Sequence, residues 1–341
     1  MNTQTISTLI KYLQIIVFVT AILYFGKILF IPLFFGLLIA IVMYPICRWF
    51  EIHGWNKSLA IACCLIIVTI AFAAVFALLV WQLHVFSKDL PDILNRFESV
   101  MQKIQKWAIE NTGIKIDLQK DWNENFTGTI GGILKSTVQT TINTLFILFL
   151  IPVYTALFMY HRKVFVQYLK LITPAKYQPG LNTILQKIIT TYFNYIKGII
   201  FVYLIVGILN SIGLFALGVK NALLFGILCA IMTIIPYIGI FISALLPISV
   251  VWMETDNIWY PVGVIAVFSF VQYLEANVIF PKVVGTQLHV STLAMLVAVI
   301  AGGIIWGVAG MLLFIPFVAI LKIISDHIEE WRPINLLLSR N

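Results

Sequence analysis

The amino-acid sequence predicts an all-α, polytopic membrane protein. The chain has 341 residues, of which 61% are hydrophobic and only 11% are charged, and its mean hydropathy is +1.00. No soluble fold buries so much apolar surface. The apolar runs are long and unbroken, which is typical of membrane-spanning helices and not of the alternating strands of a barrel. We therefore expect about six full transmembrane helices and two re-entrant helical hairpins, about eight to ten membrane segments in all.

Residues 1–86 carry three apolar segments, which we interpret as a scaffold of three transmembrane helices. The segments are 9–25, 28–49 and 59–85, and a tight turn at Gly26 and Lys27 joins the first two. No small-residue cleavage site follows the first segment, so we interpret it as a helix of the protein and not as a removed signal peptide.

A polar insert, 87–136, interrupts the membrane pattern. Residues 90–108 place apolar side chains at helical spacing, and Pro91 stands in the first turn, where proline is tolerated. We expect an extracytoplasmic amphipathic helix that serves oligomer contacts or lies on the bilayer surface. A fourth transmembrane helix, 137–160, follows the insert.

The arm 161–197 indicates the topology, because it carries six basic residues and no acidic one. By the positive-inside rule this arm is cytoplasmic. The insert then lies outside the cell membrane, and the N-terminus and the tail 326–341 lie inside. Topology and contact with anionic lipid headgroups explain the formal net charge of +8 better than nucleic-acid binding does. We expect a multi-pass protein of the bacterial inner membrane.

The transport unit is predicted at 198–325, which holds two helices, each followed by a stretch of about thirty apolar residues. The helices are 199–217 and 258–280, and the stretches are 222–251 and 291–321. Each stretch is broken near its middle, so each arm covers roughly 21–24 Å, less than the roughly 30 Å of the hydrocarbon core. The two units have opposite orientations, and such inverted repeats alternate access in many carriers. Four ordinary short or tilted helices are the alternative.

Glu275 is the strongest candidate for a functional residue, since it is the only acid between Asn257 and Ser325. Gln272 and Lys282 share its helix face, whereas Asn277 points away. A carboxyl group kept from water can exchange protons near neutral pH, or bind a cation in place of its proton. The alternative is a structural glutamate that is hydrogen-bonded or paired with Lys282.

Other candidates follow from breaks in the apolar helices. Pro236, Tyr237 and Gly239 mark the tip of the first hairpin, whose unpaired carbonyls would bind a cation or hydroxyl groups, or form a plain turn. Asn210 would line the pathway or hydrogen-bond between helices. The second hairpin has a group of hinge or packing residues, namely Gly302, Gly303, Gly307, Gly310 and Pro316.

Several short segments of the sequence, taken in their order and spacing, resemble the autoinducer-2 exporter family of bacterial membrane permeases. The pieces are Tyr195-Ile196-Lys197-Gly198, Gly218, 235–239, 275–285 and the glycines from Gly302 to Gly310 with Pro316. Ser291-Thr292 departs from the family, in which many relatives have a proline. The resemblance implies a multi-pass transporter. Members are associated with export of autoinducer-2, and some with sodium (lithium)/proton antiport.

The residues and the resemblance together predict a secondary transporter that moves a small polar metabolite such as autoinducer-2 by ion-coupled alternating access. The alternatives are a sodium (lithium)/proton antiporter, an oligomeric passive channel and a non-transport scaffold. The sequence has no phosphate-cradling loop and no catalytic constellation, so neither ATP use nor an enzyme is expected. The four cysteines lie in apolar segments without metal-ligand spacing, so no metal and no cofactor are expected. The expected partners are lipids, a small polar solute, protons or sodium, and further copies of the chain.

Overall fold

The structure is a computed structural model that describes residues 3–78, 81, 147–234, 238–255, 257–284 and 288–339. Within these ranges the chain is helical, and the only extended pairing is a single bridge between Val290 and Ser339. The all-α prediction is thus confirmed for the described part of the chain. The predicted amphipathic helix at 90–108 lies outside the described residues.

Twelve α-helices follow one another in the described ranges. In chain order they are α1 Thr3–Phe25, α2 Lys27–Ile52, α3 Lys57–Leu78, α4 Ile147–Tyr160, α5 Arg162–Ile172, α6 Gln178–Ala216, α7 Ala222–Met232, α8 Ile238–Thr255, α9 Trp259–Val283, α10 Thr292–Trp306, α11 Val308–Ser325 and α12 Arg332–Leu338.

Five of the described helices are long and apolar enough to cross a membrane, namely α2, α3, α6, α9 and α11. The number becomes six if α4 and α5, which are bent by 67° at their junction, form one broken span. The apolar part of α1, Leu13–Phe25, is shorter. These helices confirm a polytopic helical membrane protein.

Helix α6 is much longer than the predicted helix at 199–217. It begins at Gln178 and has 39 residues, or roughly 58 Å at 1.5 Å per residue. Basic and polar side chains lower the hydropathy at the start of α6, so hydropathy alone does not predict a helix that begins at Gln178. Tertiary packing reveals it, since Ile184 and Ile188 lie in one hydrophobic core with Ile323 of α11.

The two predicted hairpins form as helix pairs, but their arms are unequal. Helix α7 has 11 residues and α8 has 18, or roughly 16 Å and 27 Å. Helix α10 has 15 residues and α11 has 18. The expected arm length of roughly 21–24 Å therefore fits α10 but not α7, α8 or α11. The chain breaks at Gly307, whose φ of +62° favours glycine.

Polar contacts fix the corner between α4 and α5. Arg162 donates from Nη2 to both carboxylate oxygens of Glu51, at 2.6 and 2.5 Å. Lys57 donates to the Tyr160 carbonyl at 2.5 Å. The corner is thus tied to α2 and α3.

The C-terminal segment folds back onto the long helix α6. The carboxylate of Asp326 accepts from Lys322 at 2.5 Å and from Asn335 at 2.6 Å, and Lys187 of α6 lies 3.9 Å from it. Lys176 pairs with Glu329 at 3.2 Å. An ionic cluster therefore joins the end of α11 to the basic start of α6.

Replacing Asp326 by asparagine should loosen this junction. Lys322 is only 9% exposed, so losing its counter-charge should cost about 2 kcal/mol at neutral pH. Burial raises the pKa of Asp326, but hydrogen bonds from Lys322 and Asn335 and the lysine charges hold it below its usual 3.8. The wild-type contribution should thus be complete above pH 3.8 and be lost only as the pH falls through the lowered value.

The measurement is thermal unfolding of purified Asp326→Asn at pH 7 and at acidic pH. Glu329→Gln is the control, because the Glu329 side chain is 86% exposed and an exposed ion pair contributes little. Equal losses of stability in the two variants would contradict the assigned role of Asp326.

Candidate functional site

The Glu275 side chain is buried within the membrane-type helix α9. Its exposed fraction is 8%, and its Oε2 atom is buried without a hydrogen-bond partner. Glu275 begins a π-helical turn, Glu275–Ile279, within α9. Such turns often mark functional sites, and this one ends two residues before Pro281, which has no N–H to donate.

Two amide oxygens are, like Glu275 Oε2, buried without a hydrogen-bond partner among the described residues. Among the described side chains, the buried nitrogen and oxygen atoms without a hydrogen-bond partner are Asn210 Oδ1, Gln272 Oε1 and Glu275 Oε2. Gln272 precedes Glu275 by three residues and lies on the same face of α9. Buried polar groups are nearly always paired, so three orphaned acceptors in one region call for a functional explanation.

The packing of α6 against α9 places Asn210 near the level of Glu275 along the helix axes. A Cβ on Gly213 would lie 2.3 Å from a Val267 methyl group, and one on Gly198 would lie 3.2 Å from the Val283 carbonyl oxygen. The two helices are therefore antiparallel. Glu275 lies midway between Val267 and Val283, so it is level with the middle of the matching stretch of α6. Asn210 is displaced from that level by roughly 7 Å.

The first hairpin, α7–α8, supplies further polar side chains beside Asn210. Asn210 Nδ2 donates to Cys229 Sγ of α7 at 3.4 Å, and Ser243 of α8 also hydrogen-bonds Cys229. The Glu275 carboxyl group is close enough to the Cys229 thiol and the Tyr203 hydroxyl to act on both electrostatically. We use the name buried polar cluster for the contacting pair Asn210 and Cys229 together with Gln272 and Glu275 of the neighbouring helix α9.

Small residues bring the hairpin against α6. A Cβ on Gly226 would lie 2.1 Å from Ser211 Oγ, and one on Gly207 would lie 3.2 Å from the Ala230 Cβ. Ser211 donates to the Gly207 carbonyl at 2.7 Å. Close backbone approach through small residues is typical of packing between membrane helices, and here it sets Cys229 beside Asn210.

Among the described residues, no ion pair involves Glu275. Lys282 is exposed near the end of α9, and the ion pairs among the described residues join other groups. The alternative in which Glu275 pairs with Lys282 is therefore not what the structure shows. The cluster is rich in acceptors, and no side chain in the described part of the chain forms an ion pair with it.

The remaining predicted site residues lie elsewhere. Asn277 is exposed and donates to the Tyr273 carbonyl of its own helix at 2.9 Å. Gly239 is buried at the start of α8, where a Cβ would lie 1.7 Å from the Met232 carbonyl oxygen. Pro236 and Tyr237 lie outside the described residues.

The second hairpin uses its predicted glycines for close packing. A Cβ on Gly302 would lie 2.3 Å from the Gly310 carbonyl oxygen, and the reverse contact would be 1.9 Å. Gly303 faces Met311, and Gly307 makes the break. The carbonyl of buried Pro316 accepts a hydrogen bond from Tyr192 of α6. These residues contribute to the hairpin α10–α11 and not to the buried polar cluster.

Sequence reasoning missed Cys229, Ser243 and Tyr203. Cys229 and Thr233 stand four residues apart on one face of α7, and the Thr233 hydroxyl donates to the Cys229 carbonyl at 2.7 Å. This spacing of two polar side chains was the sequence signal that could have identified Cys229. A thiol and single hydroxyls are common in apolar helices, so only the contact with Asn210 distinguishes them.

A multi-pass helical architecture with a buried carboxyl group is typical of the class of membrane transporters. Residues 13–330 match the family described as AI-2E family transporter. The chain therefore belongs to this family, as the resemblance predicted.

Individual relatives align along most of their length. YrrI of Bacillus subtilis is 25% identical over 324 residues, which cover 90% of this chain and 88% of the relative. YueF of the same organism is 26% identical, with 85% and 82% covered. The AI-2 transport protein TqsA of Escherichia coli is 24% identical, with 92% and 90% covered.

Proposed function

We propose that the chain is a secondary transporter of the bacterial inner membrane, that it moves a small polar metabolite, and that Glu275 couples this movement to an ion gradient. The observation that carries the proposal is the buried polar cluster, in which one carboxyl and two amide oxygens have no hydrogen-bond partner among the described residues. Family membership supports the transporter class, and the likeness to the AI-2 transport protein TqsA supports an autoinducer-2-like solute.

The energetics of the cluster explain why it would bind an ion. An ionised carboxylate without a partner is costly away from water. A proton on Glu275 removes the charge and supplies a donor for the neighbouring amide oxygens. Each time the cluster opens to water the proton can leave, and each time it closes the carboxyl group must be neutral or paired.

The moving part in this proposal is the hairpin α7–α8 against α6 and α9. The contact surface of α6 and α7 is built from Gly207, Gly226 and Ala230, which offers little resistance to sliding. Helix α9 with hairpin α10–α11 would be the inverted counterpart of α6 with hairpin α7–α8. The basic arm 161–197 would lie in the cytoplasm, together with both termini.

The sodium (lithium)/proton antiporter is the second candidate, and one observation favours it. The three orphaned atoms are all oxygens, and amide and carboxylate oxygens suit small hard cations as well as protons. A cation and a proton would then compete for Glu275.

A proteoliposome assay tests these functions. Purified protein is reconstituted with a pH-sensitive dye inside the vesicles, and sodium, lithium or autoinducer-2 is added separately. The proposed transporter should move protons only with its solute, and the antiporter should move them with sodium or lithium alone. Conductance without saturation or proton coupling would indicate a channel and would overturn the proposal.

A further inference from the structure

The helix α5 presents an apolar face that the described part of the chain leaves uncovered. None of its eleven residues is buried. Five apolar side chains fall within roughly 120° of one face at 100° per residue, and their exposed fractions lie between 46% and 84%. They are Val164, Phe165, Tyr168, Leu171 and Ile172.

The opposite face of α5 is basic. Lys163 and Lys170 are seven residues apart and therefore point the same way, away from the apolar face. The whole segment 161–197 has no acidic residue that would neutralise them. Arg162 is engaged by Glu51 at 2.5 Å, whereas Lys163 and Lys170 form no ion pair within the described ranges.

The corner before α5 fixes its direction. Helix α4 ends at Tyr160 and α5 leaves at 67° to it. The ion pair of Arg162 with Glu51 and the bond from Lys57 to the Tyr160 carbonyl hold that angle. If α4, the described part of the predicted transmembrane helix 137–160, stands near the bilayer normal, α5 runs nearly parallel to the membrane plane.

We propose that α5 is an interfacial helix whose apolar face lies among the acyl chains and whose lysines bind anionic phospholipid headgroups of the proposed cytoplasmic leaflet. An amphipathic helix with a basic polar face, held at this depth and angle, is the form that lies in a bilayer interface. The uncompensated lysines complement the negative charge of that leaflet. A second copy of the chain or a cytosolic protein would need its own matching apolar groove.

The first test locates the apolar face of the full-length protein in vesicles. Leu171→Cys, in a chain whose four native cysteines are replaced by alanine, is labelled with an environment-sensitive fluorophore. Doxyl-labelled lipid should quench this label and aqueous iodide should not, whereas Lys170→Cys should show the reverse. Iodide quenching at position 171, or protection from both quenchers by a covering protein, would overturn the proposal.

The second test needs no cysteine replacement and addresses the headgroup. Native mass spectrometry of the purified protein, titrated with phosphatidylglycerol or phosphatidylcholine, should show preferential retention of the anionic lipid. Lys163→Gln with Lys170→Gln should reduce that preference by about 5-fold for each lysine, which is about 1 kcal/mol each. Lys163→Arg with Lys170→Arg should preserve it. An unchanged preference in the glutamine variant would refute the assignment of these lysines.

Discussion

Glu275→Gln is expected to abolish coupled transport while the protein stays folded and inserted. Glutamine keeps the shape of the side chain but can neither release a proton nor carry a negative charge for a cation. Glutamine is neutral and so avoids the cost of a buried unpaired charge, and the stability should be equal to or above that of the wild type. Loss of a proton-transferring group typically lowers rates by about 100-fold or more, and we expect transport to fall at least that far.

The measurement is solute-dependent proton flux in proteoliposomes, compared with thermal unfolding of the same preparation. Asn277→Ala is the matched control, because Asn277 lies two residues from Glu275 on the exposed side of α9 and hydrogen-bonds to its own helix. The control should transport normally. A well-expressed Glu275→Gln protein that transports at the wild-type rate would remove Glu275 from the mechanism.

Gly310→Val should produce the largest loss of stability. The backbones of α10 and α11 touch at Gly302 and Gly310, where an added Cβ would lie 1.9 Å from the Gly302 carbonyl oxygen. Backbone atoms cannot rotate away as a side chain can, so the two helices must separate. We expect a loss of about 3 kcal/mol, the upper end for overpacking a core.

Fluorescence-detected size exclusion after heating measures this loss. Gly303→Ala is the control, since its Cβ would meet the terminal methyl group of Met311 at 2.8 Å, and a methionine chain can move. The control should stay near wild-type stability. If Gly310→Val melted no earlier than Gly303→Ala, the close crossing of α10 and α11 would not be present in the protein.

The sequence alone was sufficient for the features that depend on local composition. Hydropathy identified the helical membrane class, because each apolar run must satisfy its backbone internally whatever its neighbours are. The turn at Gly26 and the glycine-rich break of the second hairpin were also predicted correctly. Glu275 stood out because an acid in an apolar run is costly in any arrangement.

Other features required the tertiary structure because they arise between segments distant in sequence. The start of α6 at Gln178 depends on packing of its polar half against α11, which hydropathy does not register. The grouping of Asn210, Cys229, Gln272 and Glu275 depends on small residues that let α7 approach α6, and on the register of α6 against α9. A sequence shows that a polar atom is present. Whether that atom has a partner is decided by contacts made only after the helices have packed.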